Sequence, residues 1–291
     1  MRPRTRVRFA RLAFPIRLPS KHGVAGFDLS AYLGRIGWQG PLDATLPTLT
    51  GLMRAHMRAI PFENLDVLLG RGVRLDLDSV FAKLVTARRG GYCFEHSSLF
   101  AAALEHAGFA PAAHSARVVM VAARSAAPRT HMFLSVPLAE GRFVVDPGFG
   151  LLAPRLPVRL EEGSKASLDR ESHWMARHGG FWVMRAQTPE KAVDAWVSTL
   201  EADNAVDFEM ANHYTSTHPA SGFVNRLMLR ALTSDGSVAV MNREVTFRDS
   251  GVARANQLAD RASLRRLLVD HFGFDLPEVE RIRVPTIPEW D

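Results

Sequence analysis

Cys93 is the only cysteine in the 291-residue chain, and it opens an apolar helical pattern directly after Arg88-Arg89-Gly90-Gly91-Tyr92. A thiol at a helix N-terminus faces unpaired backbone N–H groups and the positive end of the macrodipole. Both favour the thiolate, which is the nucleophilic form. The paired glycines let a substrate approach the backbone closely, and the same backbone can supply donors to an oxyanion. The competing reading is an inert thiol buried in the core.

A thiolate nucleophile calls for a base and a group that orients the base. The chain has eleven histidines, so the presence of one downstream decides nothing. His131 stands apart because it begins a β-rich run, where its ring can be held rigidly. Asp146 closes the next run, directly before Pro147-Gly148-Phe149-Gly150. Across a hairpin the two are neighbours, so Asp146 can fix the tautomer of His131. Singly, Asp146 reads as a turn carboxylate and His131 as a residue at a loop edge. A helix-start Cys followed by a His/Asp hairpin is similar to the papain and transglutaminase arrangement, and the combination favours catalysis.

The elements that must position these residues follow from apolar spacing. A short helix over 31–36 is capped by Asp28 or Ser30, and a second spans 45–60 with Leu46, Leu49, Leu52, Met53 and Met57 on one face. Pro61 ends it. Asp78-Ser79 cap a third helix through Ala87, and a fourth runs from Cys93 to His106, stopped at Gly108. Residues 26–108 therefore read as a helical domain. From 109 to 203 the pattern is β-dominated, with runs at 116–121, 132–136 and 142–145, a hairpin turn at Leu138-Ala139-Glu140-Gly141, and further strands at 157–160, 181–187 and 194–200. This is enough for a small barrel or sandwich. Residues 204–222 form an irregular-to-helical interdomain segment. Residues 223–291 offer two or three strands around Asp235-Gly236, then a helix from Ala262 to Phe272 stopped by Gly273.

Composition narrows the classes. Apolar residues at 47% and charged residues at 23% suit a globular protein. No apolar run approaches the ~20 residues that cross a bilayer, so no membrane role is expected. With one cysteine there is no internal disulfide and no two-Cys metal site; no metal is expected. The lone thiol fits a reducing, cytoplasmic compartment. The net charge of +6 suggests nucleic acid, but seven basic groups and no acidic one lie within residues 1–21. Without those seven the remaining chain is at −1, so no nucleic-acid partner is expected. Residues 1–25 read as a basic, disordered tail.

The motifs together resemble the arylamine N-acetyltransferase family. Arg89-Gly90-Gly91-Tyr92-Cys93-Phe94-Glu95 matches its Arg-Gly-Gly-X-Cys-Phe/Tyr-Glu motif, and Pro61-Phe62-Glu63-Asn64-Leu65 matches its upstream Pro-Phe-Glu-Asn-Leu. His131 follows Cys93 by 38 residues and Asp146 follows His131 by 15, spacings similar to the family's. Asp146-Pro147-Gly148-Phe149-Gly150, Ser216-Thr217-His218-Pro219 and Phe272-Gly273-Phe274-Asp275-Leu276-Pro277 extend the likeness from Phe27 to the C-terminus. Ser97 stands where the family often has Asn, Pro147 where Val is common, and Leu151 where a further Gly is frequent.

The resemblance implies an α+β fold of three parts: a helical bundle with the Cys, a β-barrel with the His and Asp, and an α/β lid. It implies a Cys93–His131–Asp146 triad, an ion pair between Glu63 and Arg89, an aromatic acceptor slot lined by Phe62 and Phe149, and a substrate-binding turn at Gly148 and Gly150. It also implies acetyl-CoA as acyl donor, an arylamine or arylhydrazine as acceptor, and a ping-pong reaction through an acetyl-cysteine thioester. An amide synthase of secondary metabolism and a cysteine hydrolase on a related core are the alternatives.

Overall fold

The computed structural model describes residues 27–290 apart from 169–170, 188–190, 235 and 251. The basic tail and Asp235 of the expected lid turn lie outside the described residues.

The chain starts with α1 (Leu29–Ile36), where Asp28 Oδ1 accepts from the Ala31 N–H at 3.0 Å, and Gly37 closes the helix at φ +67°. Next is α2 (Leu46–Ala59), capped by Thr45 and burying Leu49, Leu52, Met53 and Met57. Pro61 then turns the backbone out into the two-residue strand β1 (Phe62–Glu63), followed by the single turn α3 (Leu65–Leu68). The sequence reading places this span within the helical domain, yet β1 leaves the bundle and pairs with a distant sheet. The third expected helix is α4 (Leu77–Phe81), continued by a π turn over Ala82–Thr86. Its cap is Asp76, not Asp78 or Ser79. The extended Asp76 backbone lets Oδ1 accept from the Ser79 N–H at 3.0 Å, while Asp78 is already inside the first turn. The bundle closes with α5 (Cys93–His106).

Eight antiparallel strands follow: β2 (Ala112–Val118), β3 (Arg129–Leu138), β4 (Gly141–Val145), β5 (Val158–Arg159), β6 (Lys165–Leu168), β7 (Glu171–His178), β8 (Phe181–Gln187) and β9 (Ala192–Ser198). Their spatial order is β5-β4-β3-β2-β9-β8-β7-β6. Just past β5, Glu162 bridges to Met175 of β7 and the Gly163 N–H donates to the Met175 carbonyl at 3.0 Å. That contact brings the two ends of the sheet together into a nearly closed barrel. Phe133, Val144, Val158, Met175, Met184 and Trp196 fill its interior. Leu138 pairs with Gly141, so the β3–β4 turn falls where the sequence places it.

Helices α6 (Ala205–Thr217) and α7 (Gly222–Asn225) lead to the last part. There β10 (Met228–Leu232), β11 (Gly236–Met241), β12 (Glu244–Asp249) and β13 (Val252–Gln257) form a meander, and β1 adds to its edge through β10. The helix α8 (Arg261–Leu267) and a π turn over Leu268–Phe272 cover it, ending at Gly273 with φ +78°. No helix among the described residues is long and apolar enough to cross a membrane.

Candidate active site

Cys93 is the first residue of α5, and a buried ionic network fixes that end of the helix. Glu95 Oε2 accepts from the Tyr92 N–H at 3.1 Å, satisfying a backbone donor beside the thiol. Glu95 Oε1 in turn accepts from Lys83 Nζ at 2.8 Å. Lys83 also pairs with Asp66 at 2.9 Å, and Arg89 spans Glu63 at 2.6 Å and Asp66 at 2.7 Å. Glu63 and Arg89 are thus a buried pair rather than two solvated charges. Burial penalises the Lys83 ammonium, but Glu63, Glu95 and Asp66 outweigh that and hold it protonated. Tyr92 fastens the same turn to α6 by donating its hydroxyl proton to Asn212 Oδ1.

Two glycines let backbone segments meet around the thiol. A Cβ on Gly90 would lie 2.1 Å from the Pro61 carbonyl, and one on Gly148 would lie 2.6 Å from Cys93 Cα. The Asp146–Gly150 turn therefore sits directly on the start of α5. Gly148 is packed against Cys93, and Gly150, at φ +69°, packs against the tip of Phe62.

His131 and Asp146 are 2% and 0% exposed, and Cys93 is 3% exposed. His131 lies three residues into β3, and Asp146 follows the last residue of β4. The His131 Nε2–H donates to Asp146 Oδ2 at 2.9 Å. That leaves Nδ1 unused by Asp146, and the Cys93 side chain lies near enough to the ring to help hold its proton. Burial by itself would lower the imidazole; the Asp146 carboxylate, and then the Cys93 side chain, override it and push His131 up to about 10. The Cys93 sulfur also lies 3.8 Å from the Thr130 carbonyl. The structure thus places the three expected residues together, with His131 paired to Asp146 and Cys93 against the neighbouring Thr130.

Rings enclose this group. Phe149 meets the His131 ring edge-on at a centroid distance of 4.8 Å, and Phe62 packs in the cluster that contains Cys93, Tyr92 and Met132. Sequence reasoning misses three participants. Phe223 of α7 stands 6.2 Å from Phe62 and 5.4 Å from Tyr92, adding a further phenyl ring to the cluster around Cys93. Trp196 of β9 donates its indole N–H to Asp146 Oδ2 at 2.9 Å. Arg230 of β10, the register partner of Phe62, donates to the Gly150 carbonyl at 2.7 Å. Each lies far along the chain from the motif it serves. An aromatic at the first position of the expected lid is the only available signal, and it applies to Phe223 alone.

A family model described as N-acetyltransferase matches residues 45–281. The arylamine N-acetyltransferase of Mycolicibacterium smegmatis is 38% identical over 257 residues, covering 87% of this chain and 94% of that one. The chain belongs to the arylamine N-acetyltransferase family. The Escherichia coli K12 member is 33% identical over 87% of this chain and 90% of its own. Among solved structures, the Mycobacterium marinum arylamine N-acetyltransferase in complex with CoA superposes with a TM-score of 0.82 at 34% identity, covering 87% of this chain and 94% of that one. The Nocardia farcinica member gives a TM-score of 0.81 at 36% identity over 91% and 95%. The chain is accordingly an acyltransferase, and its three-part architecture is that of the family.

Proposed function

We propose that this enzyme moves the acetyl group of acetyl-CoA onto arylamines and arylhydrazines through a thioester on Cys93. The carrying observation is the buried Asp146–His131 pair beside Cys93 at the N-terminus of α5, with His131 held as imidazolium at neutral pH. In the first step the Cys93 sulfur attacks the thioester carbonyl. The new S–C bond forms, the CoA S–C bond breaks, and the departing CoA sulfur takes the proton of the imidazolium. First-turn amides of α5 face the developing oxyanion. In the second step a neutral aromatic amine attacks acetyl-Cys93. The N–C bond forms, the S–C bond breaks, and the amine proton returns to His131. Weakly basic aromatic amines remain neutral and nucleophilic at pH 7, which suits an acceptor step with no further base. Phe62, Phe149 and Phe223 supply the apolar walls for such a ring, with Gly148 and Gly150 shaping the turn beneath it. A free nucleophilic thiol suits the reducing cytoplasm.

Steady-state kinetics with acetyl-CoA and an arylamine test the reading. Parallel double-reciprocal lines and loss of turnover in Cys93→Ser are expected. Intersecting lines together with an active Cys93→Ser variant would replace it by direct transfer in a ternary complex.

A further inference from the structure

Beneath the catalytic turn lies a run of buried polar groups that the triad does not use. Tyr32 of α1, His56 of α2 and His96 of α5 are each at most 1% exposed. The Tyr32 hydroxyl is 2.9 Å from His56 Nδ1, His56 Nε2 is 2.9 Å from His96 Nδ1, and His96 Nε2 is 3.2 Å from the Pro61 carbonyl. The last contact fixes all the others. A carbonyl oxygen only accepts, so His96 Nε2 carries a proton. Burial, with Lys83 and Arg35 nearby, lowers His96 to about 4 and holds the ring neutral, so its Nδ1 is an acceptor. His56 must then donate from Nε2 and accept at Nδ1, where Tyr32 donates. The protons all point one way, from α1 to Pro61.

The end of the chain lies at the site. His96 is one turn after Cys93 on α5, and its Cβ would be 3.1 Å from a Cβ on Gly148. Pro61 immediately precedes Phe62, and its carbonyl also accepts from the Gly91 N–H at 3.2 Å. We propose that His96 is a positioning residue for the acceptor step, fixing the Pro61–Phe62 peptide against the first turn of α5 so that Phe62 presents its ring to the acceptor above Cys93. The proposal rests on the thioester reading for the identity of that step. It assigns His96 no contact with substrate. Losing the Pro61 contact lets Phe62 shift, which weakens binding of the aromatic acceptor alike in ground state and transition state. Such a loss raises KM and spares kcat.

Two measurements test it. In ¹⁵N-histidine-labelled wild-type enzyme, two-bond ¹⁵N–¹H correlation spectra report tautomers directly. Both His56 and His96 are expected as neutral Nε2–H forms; an Nδ1–H form at His96 would overturn the chain. The second measurement separates the half-reactions in His96→Gln, His96→Asn and His96→Leu. The Gln amide N–H reaches where Nε2 lies, whereas the shorter Asn substitutes only for Nδ1. His96→Leu and His96→Asn should raise the arylamine KM on the order of tenfold, with cysteine acetylation by acetyl-CoA within about twofold of wild type, while His96→Gln restores KM. Equal KM in all three variants, or a KM defect shared by Gln, reduces His96 to a packing residue. A variant that fails to fold leaves the tautomer result and the remaining variants to decide. If wild-type enzyme forms no acetyl-cysteine, the thioester reading fails, while the spectra still judge the chain.

Discussion

Trp196 and His131 donate to the same oxygen of Asp146, each at 2.9 Å, from β9 and β3, the two strands that flank β2 in the barrel sheet. The indole therefore aims the carboxylate at the imidazole. Its ring also stacks on Phe133 at a centroid distance of 4.2 Å. Asp146 Oδ1 is buried without a hydrogen-bond partner among the described residues. Nothing else described here replaces the Trp196 bond. Trp196→Phe keeps the stack and removes the donor. A hydrogen bond to a charged group contributes about 1.5–3 kcal/mol, so unfolding free energy should fall by about that much. The arylamine kcat should fall with it. Chemical denaturation and steady-state rates check this; an unchanged kcat would restrict Trp196 to packing.

Asp146→Asn preserves shape but removes the charge that stabilises the imidazolium, and it can present an N–H to the ring. In a serine triad the same change costs ~10⁴ in turnover. A thiol is intrinsically more acidic and more nucleophilic than a serine hydroxyl and leans less on its base, so the loss should be smaller but still large, and present in both half-reactions. Rapid-quench measurement of acetylation and deacetylation checks it. Wild-type rates in both steps would leave Asp146 a turn residue and the site a Cys–His dyad.

His131 gives a pH signature. Its folded-state pKa, about 10, lies above the ordinary histidine value of 6.5. A group raised on folding stabilises fully below its unfolded pKa and loses that contribution as pH rises through the folded one. The contribution of His131 is therefore complete below pH 6.5 and fades toward pH 10. Melting temperatures of wild type and His131→Asn should diverge most in acid and neutral buffer and converge in alkali. Parallel curves across that window would show that the imidazolium is not the resting form.

Much of this site is legible in sequence because its parts are local. The Gly90-Gly91 pair before an apolar helix, and a His and an Asp across a turn of Ala139-Glu140, lie within spans where spacing maps onto geometry. Helix α5 matches its expected bounds for the same reason. What spacing hides is contact between distant segments. Phe62-Glu63 is too short to read as a strand and forms one only because β10 accepts it. Strand β7 buries His173 beside Met175 and Ala176, so its polar inward residue erases the alternation. Strand β13 is exposed along its length and held by its ladder to β12, leaving no apolar signal. Lys83 looks like a solvated helix residue until three carboxylates from other segments surround it.

The thioester on Cys93 is tested most directly by intact-protein mass spectrometry. Enzyme mixed with acetyl-CoA in the absence of acceptor should gain the mass of one acetyl group, located by peptide mapping to the Cys93 peptide. Adding an arylamine should return the original mass and release one equivalent of N-acetylarylamine. Acetyl transfer at the full steady-state rate with no acetyl-enzyme detected on the turnover timescale, or with the acetyl group on any residue other than Cys93, would contradict the account.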